Sequence, residues 1–587
     1  MVRPLVLCLQ PSGSATAERV AACVGGDLLV ARENVVDLLQ AAFLAGRPIL
    51  GVCAAGILIR ALAPLLADKT SEPPVVAVAE DASSTVPLLG GHRGANGLAR
   101  DVARALDCVA AVTTAGDLLH GTALDDPPAG WRLADPEHAR TAMAALLQGA
   151  SCEITGDLPD TLRPEGSTAG AGVTLTATER PVSGGPHHLV YHPMRFALGV
   201  GCARDCTPEE MAALVAGALA DAEIAPGALA GVFSIDLKAD EPAVHAVAER
   251  YGLEARFFDA GTLEKETPRL AFPSDVVFAE VGCHGVAEAA ALAAVGAAGA
   301  LVLPKCKSRN ATCALARAER PLTALPGRRR GRLALVGLGP GKAAWRTPEA
   351  SRLIARSDEL VGYGLYLDLL GPLARGIRQT RFPLGGEEDR CRHALERAGE
   401  GAQVALVCSG DAGIYAMGAL VFELLDRGDT SDAARRVEIV TTPGISALQA
   451  AAALAGAPLG HDFCTISLSD LLTPWPVVEQ RIRAAALGDF VVAFYNPVSR
   501  RRRSQLGRAK AILLEARPPE TPVVLATDLG RPGQRVRHRR LADLDPNEVD
   551  MLTLVLVGSS ETRSLRRGDG FVVYTPRGYA AKMGQRL

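Results

Sequence analysis

The sequence predicts a multidomain α/β protein, and three observations carry that prediction. The chain has 587 residues, and at roughly 100 to 200 residues per domain that is more than one core organises. Apolar residues make up 48% of it and aromatics only 4%, so Ala, Val and Leu supply the core, as in helices packed on sheets. Short apolar runs bounded by turn residues alternate with stretches of helical spacing, which is the rhythm of layered sheets.

Residues 1–124 form the first segment, with strands expected at 5–9, 48–53, 75–79 and 109–113. The Gly- and Pro-rich stretch from about Asp125 to Pro186, within the segment 125–195, reads either as a small domain or as a long connection. From Phe196 the pattern sharpens, and in 196–320 strands are expected at 197–201, 231–235, 276–280 and 300–303. Residues 289–304 are the most membrane-like stretch, but they are rich in Ala and Gly and too short to span, so they read as a buried helix running into a strand. Thr207-Pro208-Glu209-Glu210 reads as a capping box, with Thr207 at the N-cap and Glu210 at the third helical position. Residues 321–331 include Leu325-Pro326-Gly327-Arg328-Arg329-Arg330-Gly331, a basic breaker run that cannot bury itself, and the main domain boundary is placed there.

The formal net charge of −3 gives no basic field of the kind a phosphate backbone needs, so nucleic acid is not an expected partner. The 13 cysteines are odd in number and loosely spaced, and no signal peptide is evident. Reduced thiols, a cytoplasmic location and no membrane attachment are expected. Cys202 and Cys206 have no matching downstream pair, so no metal site is expected.

The last segment, 332–578, opens with a strand at 333–336 and then Gly337-Leu338-Gly339-Pro340-Gly341. A helix follows, with Thr347 as N-cap and Pro348 at its first position. The glycines let the backbone turn and come close to a ligand, although the same pattern serves a plain strand-to-helix turn. A dinucleotide fingerprint would need glycine where Lys342 stands, and Pro340 removes an amide, so a nucleotide-dependent oxidoreductase is set aside. A strand at 404–408 runs into Ser409-Gly410-Asp411-Ala412-Gly413-Ile414-Tyr415-Ala416-Met417-Gly418. Another at 437–441 meets Thr442-Pro443-Gly444-Ile445-Ser446-Ala447, with Ser446 available as a cap. Three strand ends then line one crevice.

These three motifs, in this order and spacing, resemble those of the tetrapyrrole (class III) methyltransferases. Gly385-Gly386-Glu387-Glu388, Ser467-Leu468-Ser469-Asp470-Leu471-Leu472-Thr473-Pro474-Trp475 and Phe494-Tyr495-Asn496-Pro497-Val498-Ser499 are similar to the precorrin-3B C(17)-methyltransferase branch. The resemblance implies two α/β lobes, split near residue 440, with S-adenosylmethionine in the cleft between them and a homodimer as the usual assembly. It places cofactor contacts at Pro340, Ser409, Gly410, Asp411, Ile414, Ser446, Ala447, Tyr495 and Gly530. The implied reaction methylates ring carbon 17 of precorrin-3B, or its cobalt form, while the macrocycle contracts and a peripheral carboxylate closes a lactone. A sulfonium methyl is already activated, so alignment is the main task. Asp470 and Tyr363 are the candidates for an assisting acid or base. Arg500, Arg501, Arg502 and Arg503 suit the carboxylates of such a substrate, though a solvated helix start is the commoner explanation of such a run.

In the front half, Gly51-Val52-Cys53-Ala54-Ala55-Gly56-Ile57, Leu88-Leu89-Gly90-Gly91-His92-Arg93-Gly94 and Thr113-Thr114-Ala115 place small loops after expected strands. His92 before a helix either presents an imidazole to a ligand or is solvated. Together with Ser234-Ile235-Asp236-Leu237-Lys238, Gly285-Val286-Ala287-Glu288 and residues 305–312, these loops resemble the cobalamin biosynthesis protein G family over about 40–318. That family includes cobalt-precorrin-5A hydrolase, which opens the lactone and releases acetaldehyde. Glu72-Pro73-Pro74 and Gly116-Asp117 depart from its pattern. For such a reaction His92, Lys238 and Glu288 are the candidate catalytic residues. The alternative is a front half that only binds the corrin or hands it over.

Overall fold

Leu5–Cys8 is apolar at every position because both of its faces are covered. Leu5 and Leu7 pack with Leu39, Phe43, Leu58 and Leu62, whereas Val6 and Cys8 pack with Val20, Val102 and Leu106. The alternation is the two-residue period of a strand with helices on both sides. This strand belongs to a computed structural model that describes residues 3–31, 33–66, 72–113, 124–164, 172–499, 502–568 and 570–579, and of His92 the backbone only. The chain splits into two compact units. The first comprises Met1–Leu333, Leu395–Gln403 and Thr430–Glu438; the second comprises Ala334–Ala394, Val404–Asp429 and Ile439–Leu587.

Among the described residues, the first unit holds three sheets. The first has six strands in the order Asp27–Val30, Leu5–Cys8, Ile49–Val52, Val75–Val78, Ser84–Leu89, Val109–Ala110. The stretch read either as a domain or as a connection folds as a four-stranded sheet, Trp131–Leu133, His188–Pro193, Val173–Ala177 and Cys152–Thr155, covered by the helix Ala139–Leu147. The third sheet runs Ala255–Phe258, Leu229–Ile235, Phe196–Cys202, Ala311–Arg317, Ala300–Lys307. Its first three strands are parallel to one another, Ala311–Arg317 pairs antiparallel with Phe196–Cys202, and Ala300–Lys307 pairs antiparallel with Ala311–Arg317 and so runs in the first direction again.

Two local expectations are corrected here. Residues 276–280 are not a strand but lie in the helix Asp275–Val281, where Ser274 accepts the Val277 amide and Gly282 closes the helix at φ 76°. Cap residues at both ends outweigh the β-branched pair Val276-Val277 when no sheet neighbour is there to bury it. Thr207 does cap the helix Pro208–Asp221 by accepting the Glu210 amide. The Glu210 carboxylate, however, does not close a capping box; it turns to Ser308 Oγ and to the Asn310 amide.

The helix Ala287–Val295 lies directly on the strand Phe196–Cys202. A Cβ at Gly199 would stand 1.9 Å from the Ala287 carbonyl oxygen and 2.8 Å from the Ala291 nitrogen, which also explains why small residues fill that helix. Gly199→Ala is therefore expected to destabilise the first unit by about 2–3 kcal/mol in urea unfolding. Gly97→Ala, in the helix Ala95–Leu106 with nothing within 4 Å of its added carbon, should instead stabilise by roughly 0.5–1 kcal/mol.

Among the described residues the second unit carries two five-stranded layers and a smaller sheet of Gly456–Ala457, Gly570–Tyr574 and Arg563–Arg567. One layer is the sheet Arg378–Phe382, Glu359–Tyr363, Gln403–Cys408, Arg332–Gly337, Glu438–Thr442. The other layer is the sheet Phe463–Ser467, Val491–Tyr495, Thr553–Val557, Pro522–Thr527, Arg535–Arg540. Thr347 caps the helix Pro348–Ala355, and Ser446 with Gln449 forms a full capping box on Ala447–Ala455, both where the sequence places a cap. No helix of the described residues is long and apolar enough to cross a membrane.

Candidate functional site

Three turns leave the carboxyl ends of Arg332–Gly337, Gln403–Cys408 and Glu438–Thr442, and their glycines pack on one another. Gly339 and Gly410 exchange backbone hydrogen bonds at 3.1 and 2.9 Å. A Cβ on Gly337 would stand 2.6 Å from the Gly410 oxygen, and one on Gly444 would stand 2.0 Å from the same atom. Bare backbone at these positions is what lets the three turns meet. Asp411 ties them further, its Oδ1 accepting the Gly413 amide at 2.8 Å and its Oδ2 the Gly444 amide at 2.9 Å.

The turns form one wall of an open cleft of about 870 Å³, part of it solvent at the mouth. Pro340, Tyr366, Ser409, Gly410, Asp411, Ile414, Tyr415, Ser446 and Ala447 line that wall; Tyr495, Asn496, Asp528, Leu529, Arg531 and Met551 to Leu554 line the other. Tyr495 stands over the start of the helix Ala447–Ala455, its hydroxyl bonded to Ser446 Oγ and accepting the Leu448 amide at 3.1 Å. Burial pushes its phenol above the ordinary tyrosine value, so it stays a neutral donor. Arg531 crosses the cleft, donating from Nε to the Pro340 carbonyl at 2.9 Å and from Nη2 to Ser409 Oγ at 3.3 Å.

Tyr415, Asn496 and Asp528 hold positive φ values of 50°, 49° and 52°. All three line the cleft, and left-handed backbone at non-glycine residues is tolerated chiefly where surrounding contacts impose it, as at binding sites. Tyr415 donates to the Thr465 carbonyl at 3.0 Å, and Asn496 Nδ2 donates to Ser467 Oγ at 3.1 Å.

Residues 332–545 match the tetrapyrrole (corrin/porphyrin) methylases. Over 251 residues the chain is 45% identical to a precorrin-3B C(17)-methyltransferase of Sinorhizobium sp, covering 43% of this chain and 98% of that one. The chain belongs to the tetrapyrrole methylase family. It is 42% identical over 254 residues to a cobalt-factor III methyltransferase of Priestia megaterium, covering 43% of this chain and 46% of that protein, so it spans about half that relative's length. The solved structure of the methyltransferase CobJ shares 43% identity over 42% of this chain and 100% of its own, with a TM-score of 0.39. In the first unit, residues 37–117 match the cobalamin synthesis G N-terminal family and residues 196–316 the cobalamin synthesis G C-terminus family.

In the methylase cleft, eight of the nine residues expected to contact cofactor line the walls. Gly530 does not; at φ 69° it packs on the first turn, where a Cβ would stand 2.7 Å from the Lys342 nitrogen. Asp470 and Tyr363 are not lining residues either. Asp470 accepts from Gln505 Nε2 at 3.0 Å and stands 3.5 Å from the Arg502 guanidinium. Tyr363 is the N-cap of the helix Gly364–Asp368 and sets its ring edge-on to the lining residue Tyr366, 5.3 Å away. Arg502 is buried and donates to the Asn496 carbonyl at 3.0 Å, while Arg500 and Arg501 lie outside the described residues. Sequence reasoning missed Arg531 and Tyr366, which stand outside the glycine motifs; Arg531 had only its neighbour Gly530 to mark it.

In the first unit, Lys238 pairs with buried Glu241 at 3.3 Å, a carboxylate it shares with Arg204 at 2.9 Å. Glu288 is 2% exposed. It accepts the amides of Ala271 at 2.8 Å, Phe272 at 3.1 Å and Lys305 at 2.8 Å. His92 lies in the turn Gly91–Arg93, with its side chain outside the described residues, as are Thr114, Ala115, Gly116 and Asp117. Among the described residues no group of three or more His, Cys, Asp or Glu is arranged to hold a metal.

Proposed function

We propose that residues 332–578 methylate precorrin-3B, or its cobalt form, at ring carbon 17 with contraction of the ring, using S-adenosylmethionine. We further propose that segments 1–124 and 196–320, joined through 125–195 and followed by the linker 321–331, form a module that hydrolyses the cobalt-precorrin-5A lactone with release of acetaldehyde. The observation that carries the first reading is the single cleft built where the turns of Gly337, Gly410 and Gly444 meet. Its donor set suits a ligand with an amino-acid end and ribose hydroxyls: the Ser409, Ser446 and Tyr495 hydroxyls, the Arg531 guanidinium, and Asp411, whose oxygens each keep a lone pair beyond the amide they accept.

When bound, the cofactor supplies a methyl group already activated on a sulfonium. The chain's own task is alignment. Pro340, Ser409, Gly410, Asp411, Ile414, Ser446, Ala447 and Tyr495 would hold the cofactor, with Gly530 shaping the turn behind them. Arg531 would fix the spacing of the two walls, and an approach held to about 3 Å supplies most of the rate in such transfers.

Tyr495→Phe deletes the hydroxyl shared by Ser446 and the Leu448 amide. It is expected to weaken S-adenosylhomocysteine binding about tenfold by calorimetry, the equivalent of one hydrogen bond of about 1.4 kcal/mol. The function is tested by incubating the chain with S-adenosylmethionine and precorrin-3B or its cobalt form, then weighing the product. Gain of one methyl supports the reading and identifies the branch, and no methylation of either substrate sinks it. Acetaldehyde from cobalt-precorrin-5A supports a hydrolytic front module; its absence from folded protein favours a corrin-binding or hand-over role. A cytoplasmic homodimer joined through the methylase part completes the reading, and sedimentation of the purified chain checks the dimer.

A further inference from the structure

Among the described residues the strand Ala300–Lys307 is the edge of its sheet, paired only with Ala311–Arg317. Leu303 stands opposite Leu315 and Cys306 opposite Cys313, so three steps along the edge strand answer two along its neighbour. That extra residue is a β-bulge. Two adjacent residues explain it: Pro304 has no amide to give to the ladder, and the Lys305 amide goes to the Glu288 carboxylate at 2.8 Å.

The bulge decides which way Cys306 faces. In an unbroken strand residues 303 and 306 point to opposite faces. Here Leu303, Cys306 and Cys313 all pack in one apolar cluster, with Met211 and Val215 of the helix Pro208–Asp221. The two cysteines are therefore cross-strand neighbours on the same face, and both are free thiols. Opposed residues of an antiparallel pair have Cα atoms about 4.5–5.5 Å apart, within the span of about 4.4–6.8 Å that a disulfide bridges. Their Cβ atoms need to draw in by about an ångström, a shift open to a strand held from one side. Cys313 is fully buried, whereas Cys306 is partly open to solvent.

We propose that Cys306 and Cys313 are a redox modification site, joined in a reversible disulfide that clamps the edge strand beyond its bulge, with a small-molecule disulfide such as oxidised glutathione as oxidant. The Cys306 thiolate attacks one sulfur of the oxidant, which forms a mixed disulfide and releases one glutathione thiolate. Cys313 then loses its proton, attacks Cys306 Sγ and expels the second glutathione. Two cysteine thiols are oxidised, one glutathione disulfide is reduced to two thiols, and the two protons leaving the protein go to the two departing thiolates. Burial pushes the Cys313 thiol up to about 12, which sets the order: accessible Cys306 reacts first and Cys313 resolves.

The test is incubation of the full chain with excess oxidised glutathione in the absence of oxygen, followed by alkylation of the remaining thiols, tryptic digestion and mass analysis. Exposed Cys23 should take up glutathione, which shows that the oxidant acts. The expected product is the peptide Cys306-Lys307 joined to residues 310–317, lighter by two hydrogens than the separate peptides and released by dithiothreitol. Amide exchange across 300–307 should slow at least about tenfold on oxidation of the wild type and not on treatment of Cys306→Ser. Equal exchange of the strand Leu229–Ile235 in both proteins reports an intact fold in the variant. A glutathione adduct that stays on Cys306 overturns the proposal, as do a link from Cys306 to Cys202 or Cys206 and alkylation of both Cys306 and Cys313 where Cys23 has reacted. A correct link that leaves exchange across 300–307 unchanged overturns the clamp.

Discussion

Gly444→Ala is expected to lower methyl transfer by about 100-fold, the cost of misplacing reacting groups by about an ångström. The added carbon would stand 2.0 Å from the Gly410 oxygen and 2.9 Å from the Gly337 Cα, both of them backbone atoms that no side-chain rotation can move aside. The turns must separate, and separation breaks the Asp411 bond to the Gly444 amide and the pairing of Gly339 with Gly410. Overpacking of this kind costs about 1–3 kcal/mol in stability, so the variant should fold and still fail. Single-turnover methyl transfer and urea unfolding, measured together, separate the two effects. Gly386→Ala is the control, because its nearest neighbour would be 3.5 Å away and its backbone is not left-handed. Equal activity of the wild type and Gly444→Ala would mean that the glycine contact does not shape the site.

Glu288→Gln should destabilise the first unit by about 3 kcal/mol. The carboxylate is buried and meets three backbone amides, and hydrogen bonds to a charged acceptor contribute roughly 1.5–3 kcal/mol each. The amide keeps one acceptor oxygen and turns an NH2 group toward a backbone N–H, leaving at least one donor unmet. Exchange of amides 271, 272 and 305 should quicken, and urea unfolding of this unit should shift to lower concentration. This outcome distinguishes a tie from a catalytic acid. If the variant unfolds like the wild type but releases no acetaldehyde from cobalt-precorrin-5A, Glu288 acts on substrate instead.

Much of the methylase cleft was legible because its walls are local in the chain. Ser409 to Ile414 follow their strand directly, and Ser446 and Thr347 cap the helices they precede, so adjacency alone reveals strand, turn and cap. The helix Asp275–Val281 was misread because apolar periodicity over so short a run does not separate helix from strand, and the caps Ser274 and Gly282 decided it. Arg531 was missed because its partners Pro340 and Ser409 lie 191 and 122 residues away. Asp470 lies in a motif the sequence marks clearly, but no motif states that its carboxylate faces Gln505 and Arg502.

The sequence by itself determined the α/β class, the strand-end turns and their glycines, the helix caps and the family, since each is written in neighbouring residues or in their order. Tertiary structure alone decided that the glycines of three turns touch one another, that Arg531 crosses the cleft, that Glu288 binds three distant amides, and that Cys306 stands opposite Cys313. The physical reason is common to all four: a side chain's chemistry is set by the atoms packed around it, and those atoms come from parts of the chain that only folding brings together.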